Sequence, residues 1–184
     1  EKELAEKYGT RGYPAFVFVN GDGKLVHLAG GYTEAEPFIA YGQEALKKAK
    51  GIEFFEGNWN QALEKARQEN KLIFMDCYTS WCGPCKQMAQ TTFVDPEVAV
   101  FFNEKFINVK VDMEKGEGKE LKDRYHVKAY PTLNFINTEG AMVHCVVGGM
   151  NVKELLEQGN VALNGKGVAF MQDEYACGNR EPEF

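Results

Sequence analysis

The chain has 184 residues, of which 44% are hydrophobic and 12% aromatic, and its net charge is −6. This composition predicts a globular protein with a full hydrophobic core. The negative charge argues against nonspecific nucleic-acid binding, and no apolar run is long enough to span a bilayer. The five cysteines are too few for a disulfide scaffold.

Helical and strand patterns alternate along the middle of the chain. The predicted elements, in chain order, are a helix over 58–70, a strand over 72–78, a helix opening at residue 82, a helix over 96–106, a strand over 106–112, a helix over 120–125, strands over 132–136 and 141–147, and a helix over 151–163. This order predicts an α/β fold in which helices cover both faces of a mixed sheet.

The segment Trp81-Cys82-Gly83-Pro84-Cys85 lies between the first strand and a helix-forming run. If the helix begins at Cys82, that sulfur lies near unpaired backbone N–H groups, which lower the pKa of the thiol. Cys85 follows one turn later on the same face, within reach of a disulfide. Pro84 falls in the first turn, where a missing N–H costs little. The segment therefore predicts a reversible dithiol/disulfide pair.

The alternative for a CxxC pair is a zinc site, which needs four ligands. No second CxxC or histidine pair is present, so we expect no metal. Cys77 and Cys145 lie in predicted strands and are expected to be small buried hydrophobes rather than catalysts. Cys177 lies in a polar tail, where it is either an exposed reactive thiol or an incidental one.

Beyond the segment 81–85 that contains the CxxC pair, the chain resembles the thioredoxin family over about residues 53–163. Asp76 lies six residues before Cys82, where thioredoxins carry a buried acid. Tyr130-Pro131-Thr132 falls at their cis-proline loop, and Gly148-Gly149 at the glycine that lines their substrate groove. The resemblance implies a thioredoxin fold and a cis bond before Pro131. We expect the substrate-binding residues to be Trp81, Gly83, Pro84, Tyr130, Pro131 and Gly148, with a packing role as the alternative for Trp81.

One position departs from the family pattern. The lysine that partners the buried acid in thioredoxins would fall at Asn108, whereas Lys110 lies two residues later on the same strand face. We therefore expect proton transfer beneath the disulfide to differ from that in thioredoxins.

The expected reaction is thiol–disulfide exchange. Cys82 attacks a substrate disulfide, Cys85 resolves the mixed disulfide, and Asp76, with a pKa raised by burial, accepts the proton of Cys85. The alternative role for Asp76 is that of a strand-end acid bonded to backbone. We expect no cofactor apart from the Cys82–Cys85 disulfide itself.

The expected function is that of an oxidoreductase that reduces or exchanges protein disulfides, because Gly-Pro between the cysteines resembles reducing thioredoxins. The alternatives are a disulfide isomerase or oxidase of the cell envelope and a noncatalytic client-binding module. The expected partners are disulfide-containing proteins and an upstream electron donor. The connection over residues 91–98 resembles bacterial envelope proteins, so we expect a periplasmic or envelope location, with the cytoplasm as the alternative.

The beginning of the chain repeats a later part of it. Residues 3–27 align without gaps to residues 120–144, at an offset of 117. Ten of these 25 positions are identical, including Tyr13-Pro14 against Tyr130-Pro131. Capped helices are then predicted from Thr33 and from Asn151. A repeat of this length is typical of duplicated architecture.

These patterns predict three regions. Residues 1–50 are expected to be the C-terminal half of an upstream thioredoxin-like unit, truncated at its start. Residues 51–163 are expected to form a complete thioredoxin-like domain, and residues 164–184 a tail or the start of a further element. We expect the half-unit to be less stable than the complete one or to pack against it.

Overall fold

The computed structural model describes residues 2–20 and 23–165. The tail from residue 166 onward, including Cys177, lies outside the described residues. The helices and strands are α1 (Lys2–Tyr8), β1 (Ala15–Val19), β2 (Leu25–Gly30), α2 (Ala35–Ala49), α3 (Trp59–Glu69), β3 (Leu72–Tyr78), α4 (Gly83–Gln90), α5 (Pro96–Lys105), β4 (Phe106–Asp112), α6 (Gly118–Arg124), β5 (Thr132–Ile136), β6 (Met142–Val147) and α7 (Val152–Asn164).

The main sheet has the strand order β4-β3-β5-β6. β3 pairs parallel with β4 and antiparallel with β5, and β5 pairs antiparallel with β6. The sheet is therefore mixed, as the alternation of strands and helices predicted. Its central strand β3 leads directly toward the cysteine pair.

The side chains of β3 alternate between two core clusters, one on each face of the sheet. Ile73, Met75 and Cys77 pack in a cluster with residues of α3 and β4, whereas Phe74 packs in a second cluster with residues of α4, α5 and α7. The sequence placed several members of the first cluster on apolar faces of helices or strands, and the structure buries them together: Trp59, Ala62, Leu63, Ala66, Ile107, Val109 and Val111. The predicted two-faced sheet is therefore confirmed.

Helix caps set most of the helix boundaries. α3 and α7 each begin with a capping box, formed by Asn58 with Gln61 and by Asn151 with Glu154. The cap predicted at Thr33 is wrong, because α2 begins after Glu34, whose side chain makes no capping hydrogen bond. Pro37 lies in the first turn of α2 and has no amide hydrogen to donate. The N–H of Phe38, the next residue, donates a hydrogen bond to the carbonyl of Glu34.

The first part of the chain folds as α1, a two-stranded sheet of β1 and β2, and α2. The same order recurs as α6, β5, β6 and α7, and both Tyr13–Pro14 and Tyr130–Pro131 are cis. α2 packs against α5, and Lys24 forms an ion pair with Asp95. The first segment thus contacts the part of the chain from α3 to α7, here called the main domain. The division of the chain into repeated units stays a prediction.

Equivalent residues of the two segments differ in exposure. Leu4 is 61% exposed and Val19 46%, whereas their counterparts Leu121 and Ile136 are 4% and 0% exposed. In the main domain this face packs against α3 and β3. On the first segment the same face lines an open groove of about 470 Å³.

Candidate active site

The two cysteines of the CxxC segment form a disulfide at the start of α4. Cys82 is the N-cap residue of that helix, and its Sγ accepts a hydrogen bond from the N–H of Cys85 at 3.2 Å. The Cα atoms of Cys82 and Cys85 are 5.4 Å apart. The predicted helix start is confirmed to within one residue, and the sulfur of Cys82 lies at the positive end of the helix dipole.

Three loops meet beside this disulfide. The N–H of Gly148 donates to the carbonyl of Pro131 at 2.8 Å, which joins the loop after β6 to the cis-proline loop. Gly149 lies against Pro84, since a Cβ built at Gly149 would be 3.5 Å from the Pro84 Cβ. A Cβ built at Gly83 would meet no atom within 4 Å among the described residues. The structure therefore places the loops predicted to bind substrate around the cysteine pair and leaves the backbone at Gly83 open to approach.

Trp81 extends this surface as a 64% exposed side chain. Its ring meets that of Tyr130 edge to face, with 5.8 Å between centroids. Its indole N–H donates to the carboxylate of Glu114, at 3.1 Å from both oxygens. The sequence-based predictions did not include Glu114. Its position two residues after β4 was an available signal, because the carboxyl ends of the adjacent parallel strands β3 and β4 meet at the same sheet edge.

Asp76 is a buried acid whose carboxyl group lacks hydrogen bonds to the residues that the structure describes. Neither of its carboxylate oxygens has a hydrogen-bond partner within the described residues. Burial raises the pKa of Asp76 to about 7, and the nearby charge of Lys110 opposes that rise. Because side chains alternate along β3, Asp76 shares the face of Phe74, which packs with Met88 of α4. The carboxyl therefore lies on the side of the sheet that the cysteine-bearing helix covers.

The lysine near this carboxyl comes from position 110. β3 and β4 pair so that Asp76 is opposite Lys110, whose Nζ is 4.0 Å from Asp76 Oδ2. The same Nζ lies 4.9 Å from the centroid of the Tyr78 ring. Asn108 instead donates from its side-chain amide to the carbonyls of Phe102 and Glu53, each at 3.3 Å. Position 108, where the family pattern has a lysine, thus holds an amide that bonds to the backbone. The lysine near the buried acid lies instead two residues later along the strand, at position 110.

The remaining described cysteines lie in the sheet. Cys77 is a buried free thiol whose pKa is raised well above its usual value by burial and by the charge of Asp76, so it is a poor nucleophile. Cys145 is buried, as expected, and it is disulfide-bonded, which the sequence did not predict. No group of three or more His, Cys, Asp or Glu side chains within residues 2–20 and 23–165 is arranged to hold a metal ion.

A mixed sheet with a disulfide at the start of the helix after its central strand, facing a cis-proline loop, defines the thioredoxin fold. Comparison with known proteins agrees with this class. The family model Thioredox_DsbH, described as a protein of unknown function (DUF255), matches residues 37–134. This match spans more than half of the chain, which therefore belongs to that thioredoxin-like family.

Individual relatives support the same assignment. Thioredoxin of Echinococcus granulosus is 35% identical over 98 residues, which cover 52% of this chain and 85% of that protein. The thiol:disulfide interchange protein DsbD of Pseudomonas fluorescens is 31% identical over 81 residues, but these cover only 14% of DsbD and 44% of this chain.

A solved structure is also similar. The solution structure of a candidate disulphide-isomerase from Bacteroides thetaiotaomicron is 49% identical, with a TM-score of 0.56, and covers 61% of this chain and 93% of its own. With the Cys82–Cys85 disulfide, these similarities identify the chain as a thiol–disulfide oxidoreductase.

Proposed function

We propose that the protein reduces or exchanges disulfides of client proteins through Cys82 and Cys85. The Cys82 thiolate attacks one client sulfur, the client S–S bond breaks, and a mixed disulfide forms as a client thiolate leaves. The Cys85 thiol loses its proton to the Asp76 carboxylate and attacks Cys82 Sγ. The client sulfur that Cys82 attacked then leaves as a thiolate, and the Cys82–Cys85 disulfide remains. A dithiol electron donor must then reduce this disulfide for another turnover.

The observation that supports these roles most directly is the position of Cys82 at the N-terminus of α4. The Cys85 N–H donates to Cys82 Sγ, and the same hydrogen bond and the helix dipole would stabilise a thiolate there. Asp76 supports the second step, since a carboxyl with a pKa of about 7 exchanges protons readily at neutral pH.

For the direction of electron flow, we propose reduction or interchange rather than net oxidation. Gly83-Pro84 between the cysteines supports this choice, as does the similarity to a protein named for thiol:disulfide interchange. The similarity to a candidate disulphide-isomerase supports isomerisation as the second possibility. Measurement of the Cys82–Cys85 reduction potential separates these possibilities, because a value near −270 mV indicates a reductase, one near −180 mV an isomerase and one near −120 mV an oxidase.

The proposed clients are disulfide-containing proteins, and the proposed location is the bacterial cell envelope, with the cytoplasm as the alternative. No helix within the described residues is long and apolar enough to cross a membrane. Fractionation of cells that express the native gene, followed by detection of the protein in each fraction, tests the location.

The roles of the two cysteines are tested by trapping. We expect Cys85→Ser to accumulate a mixed disulfide with a client such as oxidised insulin, because the resolving thiol is absent. Cys82→Ser is expected to lose both the complex and the reductase activity. Cys77→Ala is the control and should keep both, since Cys77 is buried on the opposite face of β3. Noncovalent client binding by Cys82→Ser equal to that of the wild type, with no reductase activity in either protein, would instead identify a noncatalytic client-binding module.

A further inference from the structure

The sequence of β1 is typical of a strand that is buried on both of its faces. All five of its residues, from Ala15 to Val19, are apolar. The rings of Phe16 and Phe18 lie on one face, where their centroids are 4.9 and 6.4 Å from that of the Phe38 ring in α2. α2 therefore covers this face of the strand.

The opposite face of β1 is open. Val17 and Val19 point away from α2, because side chains alternate along a strand. Together with Leu4 and Tyr8 of α1, they line the groove of about 470 Å³, here called the β1 groove. A continuous apolar surface of this kind is typical of a site where another polypeptide packs.

β1 also has a free edge beside this groove. Among the residues that the structure describes, β1 pairs with β2 alone. The unpaired N–H and C=O groups along such an edge readily accept a further strand. A partner that fills the groove can therefore also extend the sheet.

The main domain contains an equivalent surface that is covered. β5 follows a short helix and a cis-proline loop, as β1 does, and each pairs antiparallel with the next strand. The two surfaces share a detailed contact, since the hydroxyl of Tyr8 donates to the carbonyl of Gly23 at 3.1 Å and that of Tyr125 to the carbonyl of Gly140 at 3.0 Å. In the main domain, however, β3 pairs antiparallel with the second edge of β5, and α3 packs with Ile136 on the equivalent face.

We propose that the β1 groove binds a helix and a strand that precede Lys2 in the same polypeptide. The strand adds antiparallel to the free edge of β1, as β3 does to β5. The helix lies over Leu4, Val17 and Val19 with an apolar face, as α3 lies over the equivalent side chains. Chain order assigns the source, because α3 and β3 come before α6 and β5 in the main domain.

A second copy of the chain is a less suitable occupant. The elements of a second copy that have the required shape are its own α3 and β3. Trp59, Ala62 and Ala66 of α3 and Ile73 and Met75 of β3 are already buried in the main domain. Their release would cost the second copy its core.

The test compares the 184-residue chain with the native gene product extended at its N-terminus by a length equal to that of residues 58–117. We expect backbone amides of β1 to exchange hydrogen at least about tenfold more slowly in the extended protein, because both faces and both edges of the strand are then covered. Hydrogen exchange followed by mass spectrometry measures this.

A matched pair of variants identifies the surface that is covered. Leu4 and Leu46 are 61% and 65% exposed in this chain, but Leu46 does not line the groove. In the 184-residue chain, Leu4→Lys and Leu46→Lys should both leave the exchange of β1 unchanged. In the extended protein, Leu4→Lys should speed that exchange by about tenfold or more, because it loses the burial of a leucine side chain. Leu46→Lys should not.

Three results would overturn the proposal. The first is equal exchange of β1 in the shorter and the extended protein, and the second is an equal effect of the two variants in the extended protein. The third is a native reading frame that begins too close to Lys2 to supply a helix and a strand. A concentration-dependent dimer of the shorter chain that Leu4→Lys abolishes, with β1 equally open in both proteins, would assign the groove to a second copy instead.

Discussion

Lys110 lies directly opposite Asp76 in the parallel pair of β3 and β4, with its Nζ 4.0 Å from the buried carboxyl. Burial favours the neutral acid, and the ammonium favours the carboxylate. Burial outweighs the lysine, so the pKa of Asp76 is raised from 3.8 to about 7. This pair therefore couples the ionisation of one buried group both to stability and to the proposed proton transfer.

The raised pKa of Asp76 makes the oxidised protein less stable as the pH rises. Below about pH 4 the carboxyl is protonated in both the folded and the unfolded state, so its ionisation does not change the free energy of unfolding. Between about pH 4 and 7 the unfolded state releases this proton and the folded state retains it, which favours unfolding. The resulting loss is on the order of 4 kcal/mol and is complete above the folded-state pKa.

We expect Asp76→Asn to remove this loss, so that the variant gains stability relative to the wild type as the pH rises from 4 to 8. Urea unfolding curves at several pH values measure the effect. Asp123→Asn, an exposed change on α6, is the control and should follow the wild type. Parallel curves for Asp76→Asn and the wild type would show that Asp76 has an ordinary pKa.

Removal of the lysine charge should shift the pH dependence of catalysis. In Lys110→Met the ammonium no longer favours the Asp76 carboxylate, so the pKa of Asp76 rises further. We expect the acidic limb of the pH–rate profile for mixed-disulfide resolution to move up by about one pH unit. Stopped-flow measurement of resolution checks this, with Lys119→Met as an exposed control. An unmoved limb would separate Lys110 from the proton-transfer step.

Glu114 is expected to act by orienting Trp81. Loss of the hydrogen bond to the indole N–H in Glu114→Ala should lower kcat/KM for insulin reduction by about threefold to tenfold. Glu114→Gln keeps an acceptor oxygen and should restore most of the activity. The fluorescence anisotropy of Trp81, measured in a Trp59→Phe background, should fall in Glu114→Ala and recover in Glu114→Gln. Equal losses in both variants would point to the charge rather than to orientation.

The two related hairpins provide an internal comparison of local stability. The apolar face of β1 is open, whereas β5 is buried beneath α3 and beside β3. We expect backbone amides of β1 and β2 to exchange hydrogen at least about tenfold faster than those of β5 and β6, because they open with less loss of buried area. Hydrogen exchange followed by mass spectrometry resolves the two segments. Equal protection of both would contradict this view of the first segment.

Much of the active site was predictable because its chemistry is local. Cys82, Pro84 and Cys85 occupy the first turn of one helix, where sequence spacing alone places two sulfurs within bonding distance. The family resemblance singled out Asp76, and its place in an apolar strand predicted the raised pKa. The cis bond before Pro131 came from the family resemblance, as residue order alone does not distinguish the isomers.

The contacts that tune the site depend on the pairing of distant segments. The register of β3 and β4 decides that Lys110, rather than the residue at 108, faces Asp76, and a shift of one residue would reverse every side chain. The pairing of Trp81 with Glu114 and that of Lys24 with Asp95 likewise join residues from separate elements. The sequence by itself determined the reacting atoms and the fold that carries them. Only the tertiary structure decided which charges surround those atoms, because strand register and helix packing set distances that spacing along the chain does not contain.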